Sequence, residues 1–368
     1  MIMRRWAFAA VVAAAAFAGV TPVAPRARAQ APPAFAAQIA SLSEPGGYFD
    51  TDNLISNERS YLHVLPDLER AGVKGGAYVG VGPDQNFSYI AQVRPAVAYL
   101  VDIRRDNLLL HLLFKALFGA SRTRVEYLSL LTGRAPPEGV TGWEARPIDA
   151  IVKYVDEAAS PNATAVSALR ARMTDRVKAF GVPLSAGDLA TIDRFHRQFI
   201  AEGLGLQFTS TGRAPQIGYP TLRDLVLETD MAGRRSSYLA SEDAFQFVKG
   251  LQARDLVIPV VGDLSGPKAV VAIGRAMAAR GERLSAFYTS NVEFYLFREG
   301  TFGRFVSNLS ALPRQPQAVI IRSVFNGGVR QPGYNSASLI QPVTPLVDGF
   351  PRGQFQQYYE LTVPRGGR

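Results

Sequence analysis

Apolar and polar positions along the chain follow two patterns. Continuous apolar runs at Gly76–Gly82, Val97–Asp102, Leu256–Asp263, Leu284–Ser290 and Ala318–Val324 read as strands buried on both faces. Between them, apolar residues recur at helical spacing over Asp84–Val93, Asn107–Phe118, Glu242–Ala253, Pro267–Arg280 and from Val292 to Phe297. Pro267 suits a first helical turn and Gly281 a helix end. Strand, helix, strand, helix in quick succession predicts βαβ units and a parallel sheet. The rhythm lapses over residues 120–210. There, helical patches at Ile148–Ala158, Ala163–Phe180 and Ser185–Glu202 are separated by Gly133, Pro136, Pro137 and Pro161, which predicts a helical insertion.

The flanks carry weaker signals. Residues 30–45, rich in Ala and Pro, read as a flexible lead-in, and Ser41–Gly72 as short helices, with Asn57 placed to cap a turn before Tyr61, Leu65 and Leu68. In the Gly-, Pro- and Gln-rich tail, Tyr358–Val363 reads as a last strand. The α/β pattern thus divides into a first half over 46–119 and a second half with tail over 211–368, on either side of the insertion.

Composition changes this picture at the N-terminus. Arg4 and Arg5 precede an apolar run from Trp6 to Val20, and Ala27-Arg28-Ala29 follows as a small-residue cleavage site. This is the pattern of a secretory signal peptide over residues 1–29, and it predicts an exported protein, periplasmic or secreted. The alternative is a retained anchor, but the run is shorter than the ~20 residues a spanning helix needs. No membrane span is expected in the mature form. The net charge is +9, and Arg4, Arg5, Arg26 and Arg28 supply four of those charges, so the remainder is only mildly basic. With basic residues such as Arg104-Arg105 and Arg234-Arg235 occurring only as pairs, nucleic acid is not an expected partner. The absence of cysteine excludes disulfides, thiolate metal sites and a cysteine nucleophile. Three histidines, His63, His111 and His196, leave little for a metal cluster, and no metal is expected.

Candidate chemistry centres on Gly80-Val-Gly82, which closes the first strand ahead of a helix. Glycines there let the backbone turn tightly and approach a ligand closely. Asp102 ends the second strand about 20 residues after Gly82, where an acid can accept both hydroxyls of a ribose. Gln85 stands where a dinucleotide fingerprint has its third glycine, which turns the reading away from NAD. The predicted fold is α/β, a doubly wound, mostly parallel Rossmann-like sheet with a helical insertion. Residues 76–102 resemble the first two motifs of class I S-adenosylmethionine-dependent methyltransferases. The resemblance implies a cofactor, S-adenosylmethionine, held by Gly80, Gly82, Asp84, Asn86, Asp102, Ile103 and Asp263, the last matching an acid that contacts the adenine amino group. The whole chain also resembles a group of uncharacterised exported bacterial proteins through Val81–Tyr89, Val101–Asn107, Val260–Asp263 and Phe287–Glu293, a likeness that carries no activity with it.

Polar residues gather at the expected C-terminal ends of four strands, where open α/β sheets bind ligands. Asn107, Tyr288, Ser290, Asn291 and Glu293 are candidates for an acceptor pocket beside the cofactor. No residue is assigned a catalytic role, because methyl transfer rests mainly on alignment of donor and acceptor. Gly262–Lys268 departs from a phosphate loop in spacing and in Ala269, and reads as a helix-capping turn. Two functions are expected from these features: methyl transfer to an unknown acceptor, or non-catalytic binding of a ligand or partner in the cell envelope. His111 reads as a packed residue, His63 and His196 as surface residues, and Arg322 as the partner of an acid.

Overall fold

The structure is a computed structural model and describes residues 35–51, 54–210, 218–325 and 331–362. The signal peptide expected over residues 1–29 lies outside the described residues. The strands are β1 (Ala77–Gly80), β2 (Val97–Asp102), β3 (Val257–Val261), β4 (Leu284–Ser290), β5 (Arg314–Val324) and β6 (Ala337–Pro342). Before β1 come α1 (Phe35–Leu42), a 3-10 turn (Arg59–Val64) and α2 (Leu65–Arg70). α3 (Gln85–Val93) joins β1 to β2. Between β2 and β3 lie α4 (Arg105–Ala120), α5 (Arg124–Leu131), α6 (Ile148–Glu157), α7 (Ala163–Lys178), α8 (Ala186–Glu202), α9 (Leu222–Val226) and α10 (Glu242–Ala253). The rest are α11 (Ala269–Ala279), α12 (Val292–Arg298), α13 (Phe302–Ser310), α14 (Val343–Gly349) and α15 (Tyr358–Thr362).

The fold is α/β, with one six-stranded sheet in the order β3-β2-β1-β4-β5-β6. β1 to β5 run parallel, and β6 returns antiparallel from Val319↔Pro342 to Val324↔Ala337. The order reverses between β1 and β4, which creates a topological switch point at their C-terminal ends. Helices cover both faces, so the central strands tolerate near-continuous apolar sequence; β1 and β3 are buried at every position. β3 is an edge strand, which is why Pro259, lacking an N–H, is accepted in its middle. Its free edge is covered by the chain itself: Ser43 Oγ accepts from Val261 N at 3.1 Å, and Glu44 N donates to Val261 O at 3.0 Å.

The insertion falls inside the β2-to-β3 crossover. α7 and α8 pack on α4, which also meets β2 and β3, so α4 is buried along most of its length and is apolar all round. The insertion helices start on sequence-encoded caps: Thr123, Asn162 and a Ser185/Asp188 capping box.

Three expectations are corrected. The lead-in expected as flexible contains α1, whose Phe35, Ile39 and Leu42 are buried. Tyr358–Val363 is not a strand: residues 358–362 form α15, and the sheet closes instead with β6. The first turn after the lead-in is entered at Glu58, not Asn57. Among the described residues no helix is long and apolar enough to cross a membrane.

Candidate functional site

At the end of β1 the chain turns on Gly82, whose φ of +79° suits glycine. Asn86 fills the space inside this turn. Its Nδ2 donates to the carbonyls of Val81, Gly82 and Pro83 at 2.8, 3.2 and 2.8 Å, and its Oδ1 accepts from Tyr78 OH at 2.8 Å. A Cβ on Gly80 would stand 1.9 Å from Asn86 Oδ1 and 2.8 Å from the Tyr78 ring. Gly80 is therefore required by internal packing. From the other side His111 Nε2 approaches Gly82 O at 2.9 Å, and since a carbonyl only accepts, Nε2 carries the proton. Burial pushes this imidazole down to about 4, so it is neutral at physiological pH.

Asp84 is buried but does not cap α3 through its side chain. It accepts from Tyr238 OH at 3.2 Å, and burial pushes its carboxyl up to about 6. Beside it, with Gln85, Tyr61, Ser237 and Tyr238 in its wall, is a cavity of about 10 Å³. That is about the room one water needs.

Asp102, at the end of β2, accepts from Arg104 N at 2.9 Å and lies 3.5 Å from the Arg104 guanidinium. Burial pushes this carboxyl up, against the pull of Arg104. Arg104 is 6% exposed and donates to Thr51 O. Thr51 belongs to a strap, residues 43–51, that runs across the ends of β3 and β2. Gly47 N donates to Ile103 O at 2.8 Å, and a Cβ on Gly47 would meet the Ile103 side chain at 2.8 Å. Glu44 enters the Gly262–Lys268 turn, where its carboxylate accepts from the backbone N–H groups of Asp263, Lys268 and Ala269 at 2.9, 2.9 and 3.2 Å. Asp263 folds back on Ser265 N and Oγ at 2.8 and 3.0 Å. This turn is a cap for α11 supplied by the strap.

At the ends of β4 and β5 the structure assembles a group that local sequence does not announce. Glu58 is 1% exposed and accepts the hydroxyls of Tyr288, Ser290 and Ser323. Burial pushes its carboxyl up, with the three hydroxyls opposing. Gln85 Nε2 reaches Tyr288 OH at 3.2 Å, so this cluster borders the switch point. Glu58 brings together segments more than 200 residues apart in sequence, and only contacts at that range identify it. Glu293, placed in the acceptor pocket by sequence, is drawn away from it. It forms a bidentate pair with Arg322 at 2.6 and 3.0 Å, both 1% exposed. Asn291 precedes α12 without a side-chain cap. His63 and His196 are buried, a correction of the surface reading; His196 Nε2 bonds Leu130 O at 3.1 Å.

The ends of β1 and β2 differ from those of β4 and β5 in holding unpartnered polar atoms, of which others lie on α5, at Arg124, Tyr127 and Ser129, and elsewhere in the insertion, at Arg134 and His196. Gln85 Oε1, both amide atoms of Asn107, His111 Nδ1 and Arg104 Nη2 are buried and find no hydrogen-bond partner among the described residues. Each such group costs about 1–3 kcal/mol, and buried polar groups in folded proteins are nearly always paired. Their positions follow from the chain: Gln85 begins α3, Arg104 and Asn107 follow β2, and His111 touches the Gly82 turn.

S-adenosylmethionine would need open space over the glycine turn and an available carboxylate on Asp102. Gly80 is filled by Asn86, Asp102 is engaged by Arg104, and Ile103 lies under the strap. The residues present do not offer that cofactor a cradle in this arrangement.

No curated protein matches the sequence. A family model described as a domain of unknown function, DUF7790, matches residues 53–141 and 219–346. The matched segments contain all six strands, the Gly80–Asn86 turn, Arg104, Asn107 and Glu58, and omit α6 to α8 of the insertion. With more than half its length covered, the chain belongs to the DUF7790 family.

Proposed function

We propose that the protein is exported and binds a small, hydroxyl-bearing polar molecule, with a nucleoside as the model ligand, at the C-terminal ends of β1 and β2. The observation that carries this reading is the set of unpartnered buried atoms on Gln85, Arg104, Asn107 and His111. They comprise donors on Arg104 and Asn107 and acceptors on Gln85, Asn107 and His111. A sugar hydroxyl both donates and accepts, so a diol answers such a mixed set. The site lies beside the switch point of a parallel sheet, where α/β folds take ligands. Binding rather than methyl transfer is the activity that the filled glycine turn supports.

Methyl transfer from S-adenosylmethionine is the second reading, favoured by the carboxylate of Asp102 at the end of β2 in a sheet of this strand order. Both readings require the strap to move aside, and this one requires Arg104 to leave Asp102 as well. Calorimetric titration of the mature protein with adenosine, S-adenosylmethionine and S-adenosylhomocysteine separates the two. The first reading expects heat with adenosine that disappears in Asn107→Leu. Heat with S-adenosylmethionine alone, lost in Asp102→Ala, establishes the second, and no heat with any of the three removes the nucleoside from both.

A further inference from the structure

Ser290, the last residue of β4, has φ +53°. Among the described residues three other non-glycine residues share a positive φ. Arg94 closes α3, Asp255 follows α10, and Phe355 lies in the tail. The first two are left-handed helix ends, for which such a backbone is routine. Ser290 instead stands on a sharp strand-to-helix turn, after an irregularity in the β4–β5 register between Tyr288 and Ser290. A left-handed serine costs on the order of 1 kcal/mol, and strain of this kind gathers at reactive sites. The residue is half-buried, and its hydroxyl donates directly to the buried carboxylate of Glu58.

We propose that Ser290 is the nucleophile of a carboxylic-ester hydrolase site, with Glu58 as its general base. A hydroxyl raised on a strained strand-to-helix turn and bonded to a base is the arrangement that activates serine. Ser290 Oγ attacks the ester carbonyl carbon while its proton passes to Glu58 Oε1. The tetrahedral intermediate collapses, the carbon–oxygen bond to the alcohol breaks, and Glu58 returns the proton to the departing alkoxide. Water then attacks the acyl carbon with Glu58 again taking the proton, the bond from that carbon to Ser290 Oγ breaks, and Glu58 passes the proton to Oγ, which releases the acid and restores Ser290. In turns of this kind the N–H of the following residue, here Asn291, donates to the developing oxyanion. Tyr288 and Ser323 donate to the same carboxylate, which holds it in place beside Ser290 and opposes the upward push of burial on its carboxyl. An aromatic rim continues from the site. Phe49 and Phe294 both pack edge-on against Tyr295, at 5.0 and 5.4 Å, and Phe294, on the helix that follows Ser290, is 44% exposed. This rim fits the apolar acyl or alkyl portion of an ester.

The inference uses other strand ends than the ligand reading and stands without it. The test is reaction of the mature protein with a fluorophosphonate probe, followed by peptide mass mapping and hydrolysis of 4-nitrophenyl butyrate. The expected result is a single adduct on Ser290 that is lost in Ser290→Ala and forms at least ~100-fold more slowly in Glu58→Gln, the range a general base supplies. Phe294→Ala is expected to raise KM for the butyrate ester and leave kcat nearly unchanged. If Glu58→Gln does not fold, Ser323→Ala, which removes one donor from Glu58, is expected to slow labelling several-fold. An unlabelled wild type, an adduct at another residue, or labelling that neither carboxylate-side variant slows overturns the proposal.

Discussion

The two halves of the strand-end rim are finished differently. At the ends of β4 and β5, Arg322 answers Glu293 with two hydrogen bonds and three hydroxyls answer Glu58. At the ends of β1 and β2, Arg104, Asn107, Gln85 and His111 keep buried atoms unanswered. A low-dielectric interior penalises an unpaired polar group far more than it rewards a paired one. At the ends of β1 and β2 several such groups lie together beside the switch point, which points to a ligand, whereas the satisfied side holds the fold together and turns its one strained hydroxyl, on Ser290, onto the Glu58 carboxylate.

The largest expected effect lies on the satisfied side. Arg322→Ala strands Glu293 in the core, and the denaturant midpoint is expected to fall by the equivalent of about 3–5 kcal/mol. Replacing the pair together, Glu293→Leu with Arg322→Met, is expected to cost much less. Equal losses in the two proteins would show that packing, not charge pairing, dominates there.

On the other side, Gly80→Ala drives a Cβ into Asn86 and is expected to cost about 2–3 kcal/mol in the ligand-free protein. An unchanged ligand-free stability would return Gly80 to the role of a ligand cradle. Asp84→Asn is expected to stabilise. The Asp84 carboxyl is raised from 3.8 to about 6, so its favourable contribution is full below pH 4 and is lost as pH rises through 6. Asparagine keeps an acceptor for Tyr238 and removes the titration, a gain on the order of 2 kcal/mol at pH 7 that vanishes near pH 3. Thermal melts at both pH values check this, and a gain independent of pH contradicts it. The smallest effect is that of Asn107→Leu, which removes two unpartnered atoms and is expected to be neutral or to stabilise the ligand-free protein by about 1 kcal/mol. A clear loss would mean that Asn107 is already satisfied within the fold.

These contrasts also explain what the sequence could disclose. The five parallel strands were legible because both faces are buried and their apolar runs are unbroken. β6 was not: residues such as Ser338 and Gln341 give a half-buried edge strand no continuous run and no clean alternation. α1 was hidden in an Ala- and Pro-rich stretch, where only four buried side chains mark it as packed. Among site residues, Asp102, Asn107 and Ser290 could be placed because a strand end locates its next few residues. Glu58 sits in a polar run without periodicity, and nothing local distinguishes it from a surface acid. Gly80 was legible as a special position, but the reason for it, Asn86 folded back under the turn, depends on side-chain direction that spacing alone does not give.

The central claim is that the ends of β1 and β2 are completed by a ligand. Native mass spectrometry of the protein purified from the cells that make it, compared with Asn107→Leu prepared in the same way, tests it most directly. The account predicts a wild-type species heavier than its sequence by one small molecule, which separates on denaturation and is absent from the variant. A wild type at its bare sequence mass, melting at the same temperature as Asn107→Leu or below it, would contradict it.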